Sequence, residues 1–462
     1  MKLRALTLAA AFASATLAAQ GVDTIDASVK ARIDRTATQV LEATGVPSAS
    51  VAIVQEGRIV YTQAYGQARL NPRLMATPGM RYSIGSVSKQ ITATAILMLA
   101  EEGKLKLDDP VGKFIPGLTR GDEVTIRQIL SHTSGYQDYY AEDYTMTPMQ
   151  KPTTAQYIID TWAKKPLDFE PGTEWQYSNT NYVIAGRIVE VITGHPLMDF
   201  ITGRIFHPLG MKSVWNSDEE KLTSTDALGY ARNALAPLRP SIPDGHGWMY
   251  AAGELAMTAH DLALWDISLI DRSLLKPESY KEMFTEVKLK NGKGTHYGLG
   301  VEVMDRGGHL SIEHSGEVSG FVSDNVALVN DKVAIVVLTN EEASSGASTI
   351  ARYLIPLLTA QKPAADEALA LGVYRGLQEG KLDRTLLAPN LDDFFTAEAV
   401  EDYRSSLAPL GEPLSFKRTF EEPRGGMVFR SYRILYPGKT LSLTTYTMPD
   451  GKLEQYLISP VE

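Results

Sequence analysis

The sequence predicts an α+β protein: an α/β sandwich with one antiparallel sheet flanked by helices, followed by a small C-terminal α+β unit. Three observations carry this. Strand-like alternation occurs near residue 50 and again between residues 297 and 340, with helical periodicity in between. A sheet fed from both ends of a region needs the intervening helices to cover its faces. The composition then shifts around Gln361-Lys362-Pro363-Ala364-Ala365, and a new run of strands and turns begins.

The elements follow in order. Met1-Lys2-Leu3-Arg4 is basic, Leu6 to Leu17 is apolar, and Ala13-Ser14-Ala15 and Leu17-Ala18-Ala19-Gln20 offer small residues for cleavage. This layout predicts a secretory signal peptide over residues 1–20, and hence export to a periplasmic or extracellular location. The apolar run is too short to span a bilayer comfortably, so no membrane span is expected after its removal. Residues 27–44 carry Val29, Ile33, Ala37, Val40 and Leu41 on one helical face. Residues 49–55 and 58–65 read as a hairpin around Glu56-Gly57. Residues 86–102 space Ile91, Ala95 and Leu99 as a helix that Gly103 stops. Thr125-Ile126-Arg127-Gln128 opens a short helix as a capping box, and Gly135 ends it. Strands are expected over 297–304, 311–314, 320–329 and 332–340, and a helix over 345–359.

Past residue 361, helices are expected at 364–379 and 397–408. Strands are expected at 413–420, 426–436, 439–448 and 452–459, separated by Tyr436-Pro437-Gly438 and Pro449-Asp450-Gly451. The chain therefore divides into 1–20, a main domain over 21–360 and a small α+β domain over 361–462.

Composition narrows the chemistry. The formal net charge of −10 argues against nucleic acid or an anionic membrane as partner. With no cysteine, the chain has no disulfide, no thiol nucleophile and no cysteine metal ligand. It contains no His-Glu-x-x-His, no Gly-x-Ser-x-Gly elbow and no glycine-rich phosphate loop, so no metal or cofactor is expected.

Ser86-Val87-Ser88-Lys89 places a lysine three residues after a serine at the start of a helix. The two side chains then share a face. A serine hydroxyl needs a base to take its proton, and a crowded, apolar site lets a lysine act as one. Backbone N–H groups at the helix start favour developing negative charge. The motif recurs at Ser273-Leu274-Leu275-Lys276, in a surface-like stretch before a proline, where it reads as coincidence. Tyr177-Ser178-Asn179 follows the turn Glu170-Pro171-Gly172-Thr173. On such a loop Tyr177 could relay a proton and Asn179 could hydrogen-bond a substrate amide. His314-Ser315-Gly316 ends one strand just before another begins, and a strand there can offer its backbone to an extended substrate.

With these motifs in this order, residues 27–360 resemble the penicillin-recognising serine hydrolases related to class C β-lactamases. Leu130-Ser131-His132-Thr133-Ser134-Gly135, Pro171-Gly172-Thr173 and Ala251-Ala252-Gly253-Glu254-Leu255 add to the likeness. The resemblance implies the β-lactamase/DD-peptidase-like fold and an acyl-Ser86 intermediate. It implies Lys89 and Tyr177 as the acid and base groups, with their order open, and an oxyanion hole from the backbone N–H of Ser86 and Glu317. It implies a small-molecule or peptide substrate: a D-amino-acid peptide, a short ester or a β-lactam. A non-catalytic penicillin-binding or sensor protein is the alternative, and oligomeric state stays open.

Two departures stand out. His314 occupies the place where β-lactamases usually carry lysine; relatives with histidine there include D-alanyl-D-alanine peptidases, D-aminopeptidases and some esterases. Glu254 replaces a glycine of the usual Ala-Gly-Gly-Leu stretch, with the expected effect of altering the cleft wall. His132 reads as a structural hydrogen-bonder rather than a base. Tyr136, Asp138, Tyr139 and Tyr140, and likewise His246 and Trp248, could line a cleft or pack in loops.

Overall fold

The computed structural model describes residues 25–142, 144–359 and 364–461. The expected signal segment, residues 1–20, and residues 361–363 of the expected domain junction lie outside them. Helix α1 (Ala27–Thr44) starts under the Asp26 carboxylate, which accepts the N–H groups of Ser28 and Val29. It stops at left-handed Gly45. Strands β1 (Ser48–Gln55), β2 (Arg58–Leu70) and β3 (Arg73–Met75) follow as a meander. Much later come β4 (Glu302–Asp305), β5 (Leu310–Val318), β6 (Phe321–Leu328) and β7 (Val333–Thr339). They form one antiparallel sheet in the order β3-β2-β1-β7-β6-β5-β4. The seam joins the two ends of the region, with Ala49 opposite Thr339 and Gln55 opposite Val333.

Alternation along β7 sets the layers. Val333, Ile335 and Val337 pack with Ile33, Ala37 and Val40 of α1 and with Ile350 and Leu354 of α6 (Gly346–Leu358). Ala334, Val336 and Leu338 face the opposite core, which includes Ile91 and Leu99 of α2 (Ser88–Glu101) and Leu262, Trp265 and Leu269 of α5 (Ala259–Asp271). Each fully buried aliphatic side chain contributes about 1.5–3 kcal/mol, and a one-residue slip would swap all six to the wrong layer. Between α2 and α5 lie α3 (Ile126–Leu130), with the Thr125–Gln128 capping box formed as expected, and α4 (Asn179–Thr193). Every residue from Ser88 to Leu99 of α2 is buried. A helix covered on all sides this way is a central helix, and it carries Lys89 into the interior.

Residues 364–461 build a second four-stranded antiparallel meander: β8 (Ser415–Arg424), β9 (Met427–Tyr436), β10 (Lys439–Thr447) and β11 (Leu453–Pro460). With α7 (Ala365–Glu379) and α8 (Ala397–Leu407) it encloses its own core, including Tyr374, Leu377, Ile434, Leu443 and Tyr456. This unit meets the outer helix layer. The Arg32 guanidinium of α1 donates to the carbonyls of Pro413 and Leu414, and Gly438 N–H donates to the Tyr353 hydroxyl of α6 at 2.9 Å. Both helices lie across the sheet from α2.

Two expectations are corrected. The strand expected over 297–304 is confined to Glu302–Asp305, because Gly298 N–H bonds Val301 O and left-handed Gly300 turns the chain. Helix α2 begins at Ser88, so Ser86 sits in a separate 3₁₀ turn, Gly85–Val87, leading into it.

Candidate active site

Two glycines seat the Ser86 turn against strand β5. Gly85 has φ +51°, and a Cβ on it would lie 2.8 Å from the Glu317 nitrogen. A Cβ on Gly316 would fall 1.9 Å from the Ile84 carbonyl oxygen. No side chain fits either gap. The Ser323 hydroxyl adds a 2.7 Å bond to the same Ile84 oxygen. Gly316→Ala is therefore expected to destabilise the protein by about 3 kcal/mol, the upper end for overpacking. It should also slow acylation by displacing the turn. An unchanged thermal midpoint would contradict this close approach.

Ser86 is part-exposed, whereas Lys89 is fully buried beneath it. The Lys89 Nζ lies 2.9 Å from Ser86 Oγ, 2.8 Å from Asn179 Oδ1 and 2.8 Å from the Ala252 carbonyl oxygen. Burial lowers its pKa to about 7, against the charge of Asp138, which raises it. A lysine with that value is divided between base and ammonium at neutral pH.

Asn179, the first residue of α4, is held from three sides. Its amide nitrogen donates to Asp138 Oδ2 at 3.2 Å and to the Tyr140 carbonyl at 3.3 Å, while its carbonyl takes Lys89. Its backbone N–H bonds Asp138 Oδ1 at 2.9 Å. Asn179 therefore lines the cavity at Ser86 while its amide orients the lysine. Burial raises the Asp138 pKa, opposed by these bonds and by Lys89.

The Tyr177 hydroxyl is sealed from solvent and, among the described residues, closes no full hydrogen bond. Burial raises the phenol pKa well above its ordinary value, and the neighbouring Ser86 hydroxyl tempers the rise. Tyr177 thus holds its proton in the resting state. Lys89 Nζ sits 5.0 Å from its ring centroid, on the face of the ring.

His132 is structural. Its Nδ1 accepts the Ser178 N–H at 3.1 Å, which fixes the loop carrying Tyr177, and its ring stacks on Tyr177 with centroids 4.2 Å apart. His314 is buried on β5. Its Nδ1 faces the Ser315 carbonyl, which can only accept, so Nδ1 carries the proton and Nε2 accepts from the Tyr297 hydroxyl at 2.8 Å. Burial, reinforced by the charge of Lys89, lowers its pKa to about 3, so it is neutral. Ser315 is exposed on the strand and Gly316 is buried against Ile84.

A cleft opens over Ser86, lined by residues including Tyr139, Tyr140, Asn179, Ala252, Gly253 and Glu317. Its lining comes from residues 86–342 and none from residues 364–461. Tyr136 is instead buried in the core with its hydroxyl on Thr119 O. Trp248 backs an aromatic pocket next door, and His246 is bonded to Asp218 O. Glu254 does not line the cleft. Its side chain is buried behind Gly253, accepts Asn216 Nδ2 at 2.8 Å, and has a pKa raised to about 8 by burial and by Asp218. The second serine–lysine pair, Ser273 and Lys276, is exposed at the end of α5. Among the described residues no group of His, Asp or Glu could hold a metal ion, and no helix is long and apolar enough to cross a membrane.

The sheet with its two helix layers and a buried lysine under a serine in the turn that leads into α2 define a serine hydrolase-type fold. A sequence profile of the Beta-lactamase family matches residues 33–360, and the chain belongs to that family. It is 28% identical over 311 residues to PbpX of Bacillus subtilis, a protein assigned to the penicillin-binding proteins, over 67% of this chain and 75% of that one. The octameric penicillin-binding protein homologue from Pyrococcus abyssi superposes with a TM-score of 0.64 at 26% identity, covering 94% of this chain and 96% of that one. The D-amino acid amidase from Ochrobactrum anthropi SV3 gives 0.61 at 26% identity, over 70% and 95%.

Proposed function

We propose that this protein is an exported serine hydrolase that cleaves an amide or ester through an acyl-Ser86 intermediate. The observation that carries the reading is the 2.9 Å contact between Ser86 Oγ and a buried Lys89 Nζ whose pKa is lowered to about 7. Neutral Lys89 takes the Ser86 proton as the Oγ–acyl bond forms. The backbone N–H groups of Ser86 and Glu317 hold the oxyanion. The bond to the leaving group breaks, and Tyr177 donates a proton to it. Water then hydrolyses the Ser86 ester. Similarity to a D-amino acid amidase makes D-amino-acid amides and peptides the first substrates to try. Intact mass after incubation with p-nitrophenyl acetate, nitrocefin and D-alanyl-D-alanine peptides tests the reading. A transient mass increase on a Ser86 peptide supports it, and no adduct with any of them refutes it.

Export rests on the signal-like residues 1–20, and a mature N-terminus near residue 20 in the exported fraction would establish it. We assign residues 361–462 to a separate accessory domain that stabilises the outer helix layer. Truncation at residue 360 should lower the thermal midpoint and leave the substrate ranking unchanged.

Neutral His314 bears on substrate charge. Penicillins and cephalosporins carry a carboxylate that a lysine at this place would attract, so weak turnover is expected here. His314→Lys should raise kcat/KM for nitrocefin relative to p-nitrophenyl acetate by about tenfold, the effect of one added short-range charge pair. Glu313 and Glu317 do not hold His314 protonated: Glu313 pairs with Arg306, and Glu317 accepts Ala343 N–H. With a pKa near 3 the imidazole does not titrate between pH 6 and 8, so the wild-type ratio should not fall through that window on its account. Nitrocefin turnover by the wild type at the rate of its best ester would overturn this.

A further inference from the structure

Strand β6 grips the segment that carries Ser86 and Lys89 at two points. Before them, the Ser323 hydroxyl donates to the Ile84 carbonyl at 2.7 Å. After them, Gln90 Nε2 donates to Asn325 Oδ1 at 2.9 Å. Ser323 and Asn325 lie two residues apart, opposite Leu338 and Val336, so both point to the core that holds α2. Across the β5–β6 ladder Asn325 stands opposite His314, and Val322 opposite Glu317, whose N–H belongs to the oxyanion hole of the Ser86 reading. Lys89 and Gln90 are consecutive on α2, so their side chains leave the helix about 100° apart. Lys89 turns to Ser86, and Gln90 turns to the sheet.

The Gln90 contact belongs to a chain of four buried side chains. The Trp265 indole N–H donates to Gln90 Oε1 at 2.6 Å, and Asn325 Nδ2 donates to Asp266 Oδ1. An indole N–H can only donate, so it sets the direction of every bond after it. Gln90 offers its carbonyl to Trp265 and its amide N–H to Asn325. Asn325 must then pass its own N–H to a group that accepts, and Asp266 is that group. The second Asp266 oxygen, Oδ2, is buried and meets no partner among the described residues. Burial raises the Asp266 pKa well above its ordinary value, and the Asn325 bond opposes the rise. An apolar side chain would fill this place at less cost, so packing alone does not account for a carboxyl here.

We propose that Gln90, Asn325 and Asp266 are positioning residues for the Ser86 reaction: with Trp265 they lock the rotation of α2 against β6, and so place Ser86 and Lys89 relative to the Glu317 N–H. The proposal rests on the Ser86 reading. None of the four side chains lines the cleft, so they act through placement alone. Placement matters because a displacement of about 1 Å at reacting atoms costs about 100-fold in rate.

The test is presteady-state acylation of Ser86 by p-nitrophenyl acetate, well below each variant's thermal midpoint. The burst of p-nitrophenol counts active sites, and the rate is taken per site. A merely structural loss would lower the count and leave the rate per site unchanged. Asn325→Leu and Asp266→Leu break the chain and should lower the rate per site about 10-fold to 100-fold. Asn325→Asp alone sets two buried carboxyls against each other. They can meet only while they share a proton, so the rate relative to the wild type should fall as pH rises from about 5 to 9. The reversed pair, Asp266→Asn with Asn325→Asp, restores the chain, because the carboxylate at 325 accepts from Gln90 and from the amide at 266. It should return the rate to within about threefold of the wild type and remove that pH dependence. If the leucine variants do not fold, the contrast between Asn325→Asp and the reversed pair decides alone. Leucine variants with wild-type rates per site, or a reversed pair no faster than Asn325→Asp, overturn the proposal and leave the hydrolase reading standing. If neither this ester, nitrocefin nor the D-alanyl-D-alanine peptides acylate the wild type, both fall.

Discussion

Ser86→Ala is expected to abolish covalent labelling by a fluorophosphonate probe and to lower kcat by a factor on the order of 10⁴ or more, the scale on which loss of a serine nucleophile is felt. The substitution removes the hydroxyl 2.9 Å from Lys89 Nζ and leaves the fold intact, because Ser86 is part-exposed and, among the described residues, its oxygen otherwise meets only Tyr177. Ser273→Ala is the control. That serine is exposed at the end of α5, with Lys276 exposed as well and no buried lysine under it. Labelling should persist there unchanged. Recovery of the label on a peptide containing Ser273 would transfer the nucleophile to a place with nothing to activate it and would overturn the site.

Much of this was legible in the residues. The apolar runs of β1 and β7 marked the strands of one sheet fed from both ends of the region, and the Thr125–Gln128 capping box and the stop at Gly103 were local signals. Long-range contacts were not. Nothing around Tyr297 marks it as the partner of His314, because that bond joins residues 17 apart, one in the turn before β4 and the other on β5. Asp138 sat in a tyrosine-rich loop that could equally have been surface, and only the approach of α4 shows it gripping Asn179. Asn179 was read as a substrate ligand; it lines the cavity at Ser86, and its amide also holds Lys89, Asp138 and Tyr140, partners on α2 and on the 138–140 loop that no local signal joins. Glu254 was expected to reshape the cleft wall, and its side chain turns behind it instead. Short strand β3 escaped notice because three residues carry no readable period.

The order of proton transfer follows from where two pKa values lie. Tyr177 is raised well above its ordinary value, so a phenolate is scarce at neutral pH, while Lys89 stands near 7. Lys89 acts as a base only without its proton. Acylation should therefore rise with pH from about 5 to 9, with a single midpoint near 7, and presteady-state release of p-nitrophenol would record it. Lys89→Arg keeps a cation in the pocket that does not deprotonate in this range. Its acylation rate should fall at least ~100-fold, the usual scale for general-base loss, and the midpoint near 7 should vanish. Asp138→Asn separates the base from its surroundings. The Asp138 charge raises the Lys89 pKa against the dominant effect of burial, so removing it should move the midpoint below 7 while the slope stays at one proton. Near-normal acylation in Lys89→Arg would pass the role of base to Tyr177. A midpoint that moves up in Asp138→Asn would mean that the titrating group is not the lysine.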